Sequence, residues 1–303
     1  MTEPLHADEV AIDAALVSRL LADQMPGLTG RTLRAVPAQG TDNVVFRLGP
    51  DLCVRLPRKP AAVRGLLIER EWLPRLGPHL PLEVPRPVAR GEPGPGYPFP
   101  WLVCTWLDGT LLAGGSLDAA GARALGEFVV ALRSVDAAGG PRVAAGERAG
   151  PLTAYDRIGA ALDQTLGLQA AGRVESGLVD ARRAWEVWRA GREAPDWPGP
   201  PVWVHRDLQG GNLLVRAGRL SGVLDFGGLA AGDPAGDVMA AFHALHAELR
   251  PLFRTVIGAD DATWARGRAW ALVQGLEALP YYLHSHPGMV TMARRVIAAA
   301  LEG

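Results

Sequence analysis

Lysine is almost absent from this chain: of its 31 basic residues thirty are arginine, and Lys59 stands alone. Any chemistry that needs a lysine ammonium therefore has one position to draw on. Cysteine is nearly as scarce, with Cys53 and Cys104 both inside apolar, strand-like runs. That excludes a disulfide framework and a cysteine–histidine metal site, and it predicts two small core residues in a reducing compartment. Charge of one sign is lacking too. A formal net charge of −1 and a pI near 6.7 exclude the basic imbalance of a nucleic-acid or anionic-membrane binder, so a small-molecule partner is expected. No run approaches the ~18 apolar residues of a membrane span, and Met1 is not followed by the basic and apolar regions of a signal peptide. The expected location is the cytoplasm.

What remains is a 303-residue chain, 48% hydrophobic and 21% charged, long enough for two lobes. An opening helical pattern starts at Asp8, with Val10, Ala14, Val17 and Leu21 at helical spacing. Five short β-like runs follow, at 32–36, 44–48, 52–56, 87–90 and 99–105, with a helix over about 61–76 between the third and fourth. Short turns such as Gly49-Pro50-Asp51 join them, which predicts an antiparallel sheet. After Asp108-Gly109 the pattern turns helical: 117–135, 153–166, 177–190, 237–249, 261–279 and 289–301. The expected fold is therefore α+β: an N-terminal lobe, residues 1–106, with a five-stranded antiparallel sheet, and a mainly helical C-terminal lobe, residues 107–303.

The densest polar chemistry lies between Val202 and Gly227, in V-W-V-H-R-D-L-Q-G-G-N followed by L-D-F-G. His205, Asp207 and Asn212 share a loop after an apolar strand, and Asp225 ends a second strand eighteen residues beyond Asp207. The intervening residues read as a hairpin, with strands at 213–215 and 223–224 and its turn at Ala217-Gly218. H-x-D-x-x-x-x-N with D-F-G has the order and spacing of a kinase catalytic loop and metal motif. Phosphoryl transfer from a nucleotide needs these residue types: a carboxylate to orient the attacking hydroxyl, and hard oxygen donors to hold Mg²⁺ on the phosphates. Asp207 is the expected catalytic residue, with Asn212 and Asp225 as metal ligands. His205 and Arg206 are expected to brace the loop.

The stretch 204–237, with its sequel G-D-P-A-G-D, resembles the aminoglycoside phosphotransferase family of small-molecule kinases, which share a two-lobed protein-kinase-like fold. The resemblance extends to G-T-D-N-V-V-F-R-L (40–48), E-W-L-P-R-L (71–76) and Y-P-F-P-W-L-V-C-T-W-L-D-G (97–109). Arg206 departs from the family's usual glycine, and Gln209-Gly210 from its usual His-Pro. The resemblance implies that Gly40, Thr41 and Asn43 meet phosphate oxygens, and that the Thr105 carbonyl and Leu107 amide pair with the nucleobase of ATP or GTP. Arg55 of C-V-R-L stands where kinases carry the lysine of V-A-I-K, while Lys59 lies between Pro57 and Pro60. A guanidinium bridges two oxygens, so Arg55 is the expected phosphate clamp. Glu69, or failing that Glu71, is its expected orienting carboxylate.

Asp233 and Asp237 are expected to tie the catalytic loop to the next helix. The acceptor is expected to be the hydroxyl of an aminoglycoside-like antibiotic, contacted from the C-terminal helices by residues such as Asp260, Asp261, Glu277, Tyr281, Tyr282, His284 and His286. A macrolide, an amino alcohol or a sugar is the alternative within the same chemistry; a catalytically silent nucleotide-binding module is the alternative outside it.

Overall fold

The computed structural model describes residues 10–37 and 41–302. The chain forms two compact units, one of Met1–Gly109 with Gly222–Gly227, the other of Thr110–Ser221 with Gly228–Gly303.

In the first unit, helix α1 (Ala14–Gln24) precedes strands β1 (Leu33–Ala35), β2 (Asn43–Leu48) and β3 (Leu52–Pro57). Then come α2 (Pro60–Leu76), β4 (Pro87–Gly91) and β5 (Trp101–Thr105). The strands make one antiparallel sheet in the order β1-β2-β3-β5-β4. α1 begins at Ala14, where Asp13 Oδ1 accepts the amide of Leu16 at 2.7 Å, a side-chain cap on the first turn. The expected start at Asp8 lies outside the described residues, and Val10 precedes the helix.

The two-residue period of β3 sorts its side chains between two faces. Leu52, Val54 and Leu56 pack with Leu16, Val17, Leu20 and Leu21 of α1, while Cys53 packs with Leu66 of α2 and with Leu102 and Cys104. Arg55 follows Cys53 by two and so belongs to the α2 side. The cysteines face each other in register across β3 and β5, buried and free, and burial pushes the Cys53 thiol up to about 11.

The stretch Gly222–Gly227 belongs to this unit because Val223 donates its amide to the Glu83 carbonyl at 2.9 Å and Gly227 lies against Gly65 of α2. A Cβ on Gly65 would sit 3.0 Å from the Gly227 Cα, so a larger residue there would force the two backbones apart by a few tenths of an ångström.

The second unit is mainly helical: α3 (Ala119–Ser134), α4 (Ile158–Ala170), α5 (Ala181–Glu193), α6 (Ala235–Val238), α7 (Ala240–Ala244), α8 (Arg250–Ile257), α9 (Asp261–Tyr282) and α10 (Pro287–Leu301). α9 is its axis, buried on most faces and packed by α4, α5, α6, α7 and α10. Strands β6 (Thr110–Leu111), β7 (Val202–Val204), β8 (Leu213–Arg216), β9 (Arg219–Val223) and β10 (Ala230–Gly232) complete the chain. The expected hairpin is β8–β9, with Ala217 at φ 51° and Gly218 at φ 75°; positive φ at both positions is what a two-residue turn matching strand twist requires. Its second strand runs 219–223 and stops before Leu224.

One helix expectation fails. Residues 237–249 do not form a single helix: Leu245 (φ −125°, ψ 141°) is extended and ends α7, and a new helix, α8, starts at Arg250 with Pro251 in its first turn. Proline is tolerated there because the first-turn amides have no helical partner. α8 buries Phe253 and Ile257 and stops at Gly258 in the left-handed conformation (φ 63°). No described helix is long and apolar enough to cross a membrane.

Candidate active site

In the first unit Arg55 is 8% exposed and Glu69 1% exposed, and they form a direct ion pair from β3 to α2. Burial alone would discharge both. Against that penalty Glu69 and Asp225 hold the Arg55 guanidinium above its ordinary value, and burial pushes the Glu69 carboxyl up while Arg55 opposes the shift. Leu66, Glu69 and Leu73 share the buried face of α2, and Glu71 is exposed on another. Lys59 immediately precedes α2 without a side-chain cap, its Nζ 3.2 Å from Asp42 Oδ1.

Asp225 stands 3.8 Å from the second guanidinium nitrogen of Arg55. Its φ of 59° is uncommon for a non-glycine residue and costs about 1–3 kcal/mol, offset here by the fully buried Phe226 and by Gly227 N donating back to Asp225 Oδ1 at 3.4 Å. With 38% of its side chain exposed, Asp225 is accessible to a ligand. Thr41 and Asn43 are half-buried at the start of β2; Gly40 lies outside the described residues. At the end of β5 the Thr105 carbonyl receives the Cys53 thiol at 3.8 Å, and Leu107 is half-buried just beyond.

In the second unit the loop after β7 is fixed at its backbone by one carboxylate. Asp237 accepts the amides of His205 at 3.0 Å and Arg206 at 2.8 Å, and it is 1% exposed. Arg206 adopts φ 69°; its Nε donates to the Gly228 carbonyl at 2.6 Å and its Nη1 to Glu147 Oε2 at 3.0 Å and the Arg148 carbonyl at 3.1 Å. An arginine here thus braces the loop to two other segments, which the glycine of the resembled pattern has no side chain to do. His205, fully buried, accepts the Asp207 amide on Nδ1 at 3.2 Å. Gly210 is required sterically, since a Cβ there would lie 2.1 Å from the Ala113 carbonyl oxygen.

This frame presents Asp207. Asn212 Nδ2 donates to its backbone carbonyl at 2.9 Å and to its Oδ2 at 2.8 Å, and Gln209 Nε2 reaches Oδ2 at 3.5 Å. Oδ1 accepts Gln274 Nε2 at 3.2 Å and faces Arg148 Nη1 at 3.6 Å. Burial works against the charge, but Arg148 foremost, together with the neighbouring imidazoles and the Gln209 hydrogen bond, outweighs it and holds the carboxyl below the usual range. Asp207 is therefore an oriented carboxylate at neutral pH.

Sequence reasoning missed Arg148, Gln274, His243 and Arg266. Arg266 grips Asp233 through two nitrogens at 2.6 and 3.1 Å, anchoring α6 to α9. Gln274 had a signal, a lone amide in the apolar run W-A-L-V-Q-G-L; Arg148, in a Gly- and Ala-rich loop, had none. Asp260 caps α9 and Asp261 pairs with Arg254, whereas Glu277 pairs with Arg157 at 3.3 Å and accepts from Tyr155 Oη at 2.8 Å. Tyr281 is exposed and stacks edge-on with Tyr282; His284 lies 3.2 Å from Arg173, and His286 caps α10.

Similarity to known proteins agrees with this geometry. The kanamycin and GDP complex of APH(2")-IIia superposes with a TM-score of 0.69 at 17% identity, over 94% of this chain and 98% of that one. The gentamicin complex of APH(2")-IIa gives 0.57 at 16%, over 96% and 99%, and the macrolide 2'-phosphotransferase MphH of Brachybacterium faecium gives 0.59 at 24%, over 94% and 97%. At these identities the likeness shows the shared kinase-like fold. No curated protein matches the sequence. The profile of the phosphotransferase enzyme family spans residues 32–270, which take in β1 through the middle of α9 and with them Arg55, Asp207, Asn212 and Asp225, and the chain belongs to that family.

Proposed function

We propose that the protein transfers the γ-phosphoryl group of a nucleoside triphosphate, ATP or GTP, to a hydroxyl of a small molecule. Residues 1–106 serve as the nucleotide-binding lobe and 107–303 as the catalytic and substrate-binding lobe. The observation that carries the reading is the Asp207 carboxylate, charged, partly accessible and held by Asn212 in a loop whose backbone Asp237 pins. A transition state with little bond-making leaves the protein to position and to stabilise charge. Asp207 orients the acceptor hydroxyl and takes its proton late. Arg55, kept charged and aimed by Glu69, clamps phosphate oxygens; Thr41 and Asn43 add donors, and Gly40 has the same assignment by resemblance. Backbone groups of Thr105 and Leu107 pair with the base.

The donor set suits Mg²⁺. Both hydrogens of the Asn212 amide are directed at Asp207, leaving its carbonyl oxygen as the metal donor, and Asp225 adds an accessible carboxylate. Mg²⁺ takes one or two protein oxygens and completes its shell with water and phosphate, and no denser group of His, Cys, Asp and Glu occurs among the described residues. When bound, the ion neutralises charge on the phosphates.

For the acceptor, aminoglycoside-like antibiotics are the first reading. One observation favours a second. Arg148 lies 3.6 Å from Asp207, and carboxylates that would greet an ammonium are already occupied: Glu147 by Arg206, Asp237 by two amides, Glu277 by Arg157 and Tyr155. A like charge beside the reacting hydroxyl costs a polycation several kcal/mol. This supports an acceptor with few positive charges, such as a macrolide, a sugar or an amino alcohol. The test is ADP or GDP release across kanamycin, gentamicin, streptomycin, erythromycin, simple sugars and amino alcohols, with ATP and GTP in parallel. Absence of turnover on every acceptor would favour a silent nucleotide-binding module.

A further inference from the structure

Gln274 of α9 and His243 of α7 are two buried polar groups set among apolar neighbours in sequence. Gln274 is 8% exposed and His243 5% exposed, and polar groups buried without partners cost a few kcal/mol each. Their partners are each other and the catalytic loop: His243 Nε2 meets Gln274 Oε1 at 2.8 Å, and Gln274 Nε2 meets Asp207 Oδ1 at 3.2 Å.

The chain has a direction. A carboxylate only accepts, so the amide must turn its NH₂ toward Asp207 and its oxygen toward His243. His243 must then donate from Nε2, and its buried Nδ1 has no acceptor for a second proton, which points to the neutral Nε2–H tautomer. Burial pushes this imidazole down to about 4, in keeping with a neutral donor at physiological pH.

We propose that Gln274 is a positioning residue for Asp207 in phosphoryl transfer, and that His243 holds the Gln274 amide in the orientation that serves it. The inference rests on the reading of Asp207 given above. Two close donors set the plane of the carboxylate, Asn212 on Oδ2 at 2.8 Å from within the loop and Gln274 on Oδ1 at 3.2 Å from α9. Gln209 at 3.5 Å and Arg148 at 3.6 Å approach from farther off. Without Gln274 the carboxylate is held from one side only, and misplacement by about 1 Å costs up to ~10²-fold in rate.

The experiment compares Gln274→Met, Gln274→Glu, His243→Phe, the Gln274→Met/His243→Phe double variant and Asp207→Asn in the full chain. Turnover is measured on whichever of kanamycin, gentamicin, streptomycin and erythromycin reacts fastest, and on water as acceptor-free hydrolysis of ATP and GTP. Gln274→Met is expected to lower kcat about 10- to 100-fold with the nucleotide KM within about twofold of wild type. The isosteric Gln274→Glu keeps the acceptor for His243 but sets a carboxylate against Asp207, so its kcat should fall at least as far. It carries the test if Gln274→Met does not fold. His243→Phe should lose about 3- to 10-fold, and the double variant should be no worse than Gln274→Met, because His243 acts through the amide. Wild-type kcat in folded Gln274→Met or Gln274→Glu beside an inactive Asp207→Asn overturns the inference alone. Additive losses in the double variant overturn the role of His243, and an active Asp207→Asn removes the assignment of Asp207 itself.

Discussion

Asn212 donates from a single side-chain nitrogen to both the backbone carbonyl and the carboxylate of Asp207, at 2.9 and 2.8 Å. One residue thereby fixes where the base points and, in the proposed mechanism, offers its other amide atom to the metal.

Asn212→Ala should therefore do two kinds of damage at once. Steady-state kinetics at varied Mg²⁺ should show kcat lowered by at least ~10²-fold and the Mg²⁺ requirement raised. Asn212→Asp keeps a hard oxygen donor but sets like charge against Asp207, so it should recover metal dependence without recovering kcat.

In the proposed mechanism Arg55 takes the place of the kinase strand lysine. Arg55→Ala should raise the nucleotide KM and lower kcat, and leaving Glu69 buried without its partner should cost about 3–5 kcal/mol of stability, read by denaturant unfolding. Arg55→Lys should recover part of the activity, because an ammonium keeps charge but loses the two-oxygen grip. Lys59→Ala, which removes among others the contact with Asp42, should leave activity close to wild type; a severe defect there would move the phosphate clamp to Lys59.

Arg148→Ala should change selectivity more than rate. Relief of like-charge repulsion is expected to raise kcat/KM for kanamycin by ~10-fold or more relative to erythromycin, measured on the two acceptors in competition. An unchanged ratio would remove Arg148 from acceptor selection.

The pH response has a defined sign. His243 has its folded pKa depressed to about 4 from an ordinary 6.5, so the unfolded chain binds the extra proton first as pH falls. The stability it contributes is present above pH 6.5 and is lost between about 6.5 and 4. Thermal melts should show the wild type losing more stability than His243→Phe across that window. Asp207 is shifted downward as well, so its stabilising charge is present above the ordinary carboxylate range and lost only as pH falls below it.

Several parts of this site were legible in the sequence because they follow from spacing. Asp207, Asn212 and Asp225 are separated by fixed loop and hairpin lengths, and the strand period places Arg55 on the face opposite Val54. The resemblance implies Glu69 and leaves Glu71 open; in the structure Glu69 shares the buried face of α2 with Leu66 and Leu73. Gln274, His243 and Arg148 lie 67, 36 and 59 positions from Asp207 along the chain, and no local rule connects them to it. The segment 237–249 was misread for a different reason: α6 and α7 are four and five residues long, too short for a helical period to register where they end.

The central claim is that Asp207 acts on the acceptor while the nucleotide is held elsewhere. The direct measurement is single-turnover phosphoryl transfer by Asp207→Asn, paired with calorimetric binding of MgATP and MgGTP to the same protein. Transfer reduced by orders of magnitude with nucleotide affinity unchanged is the predicted result. Near-normal transfer, or loss of nucleotide binding in its place, would contradict the account.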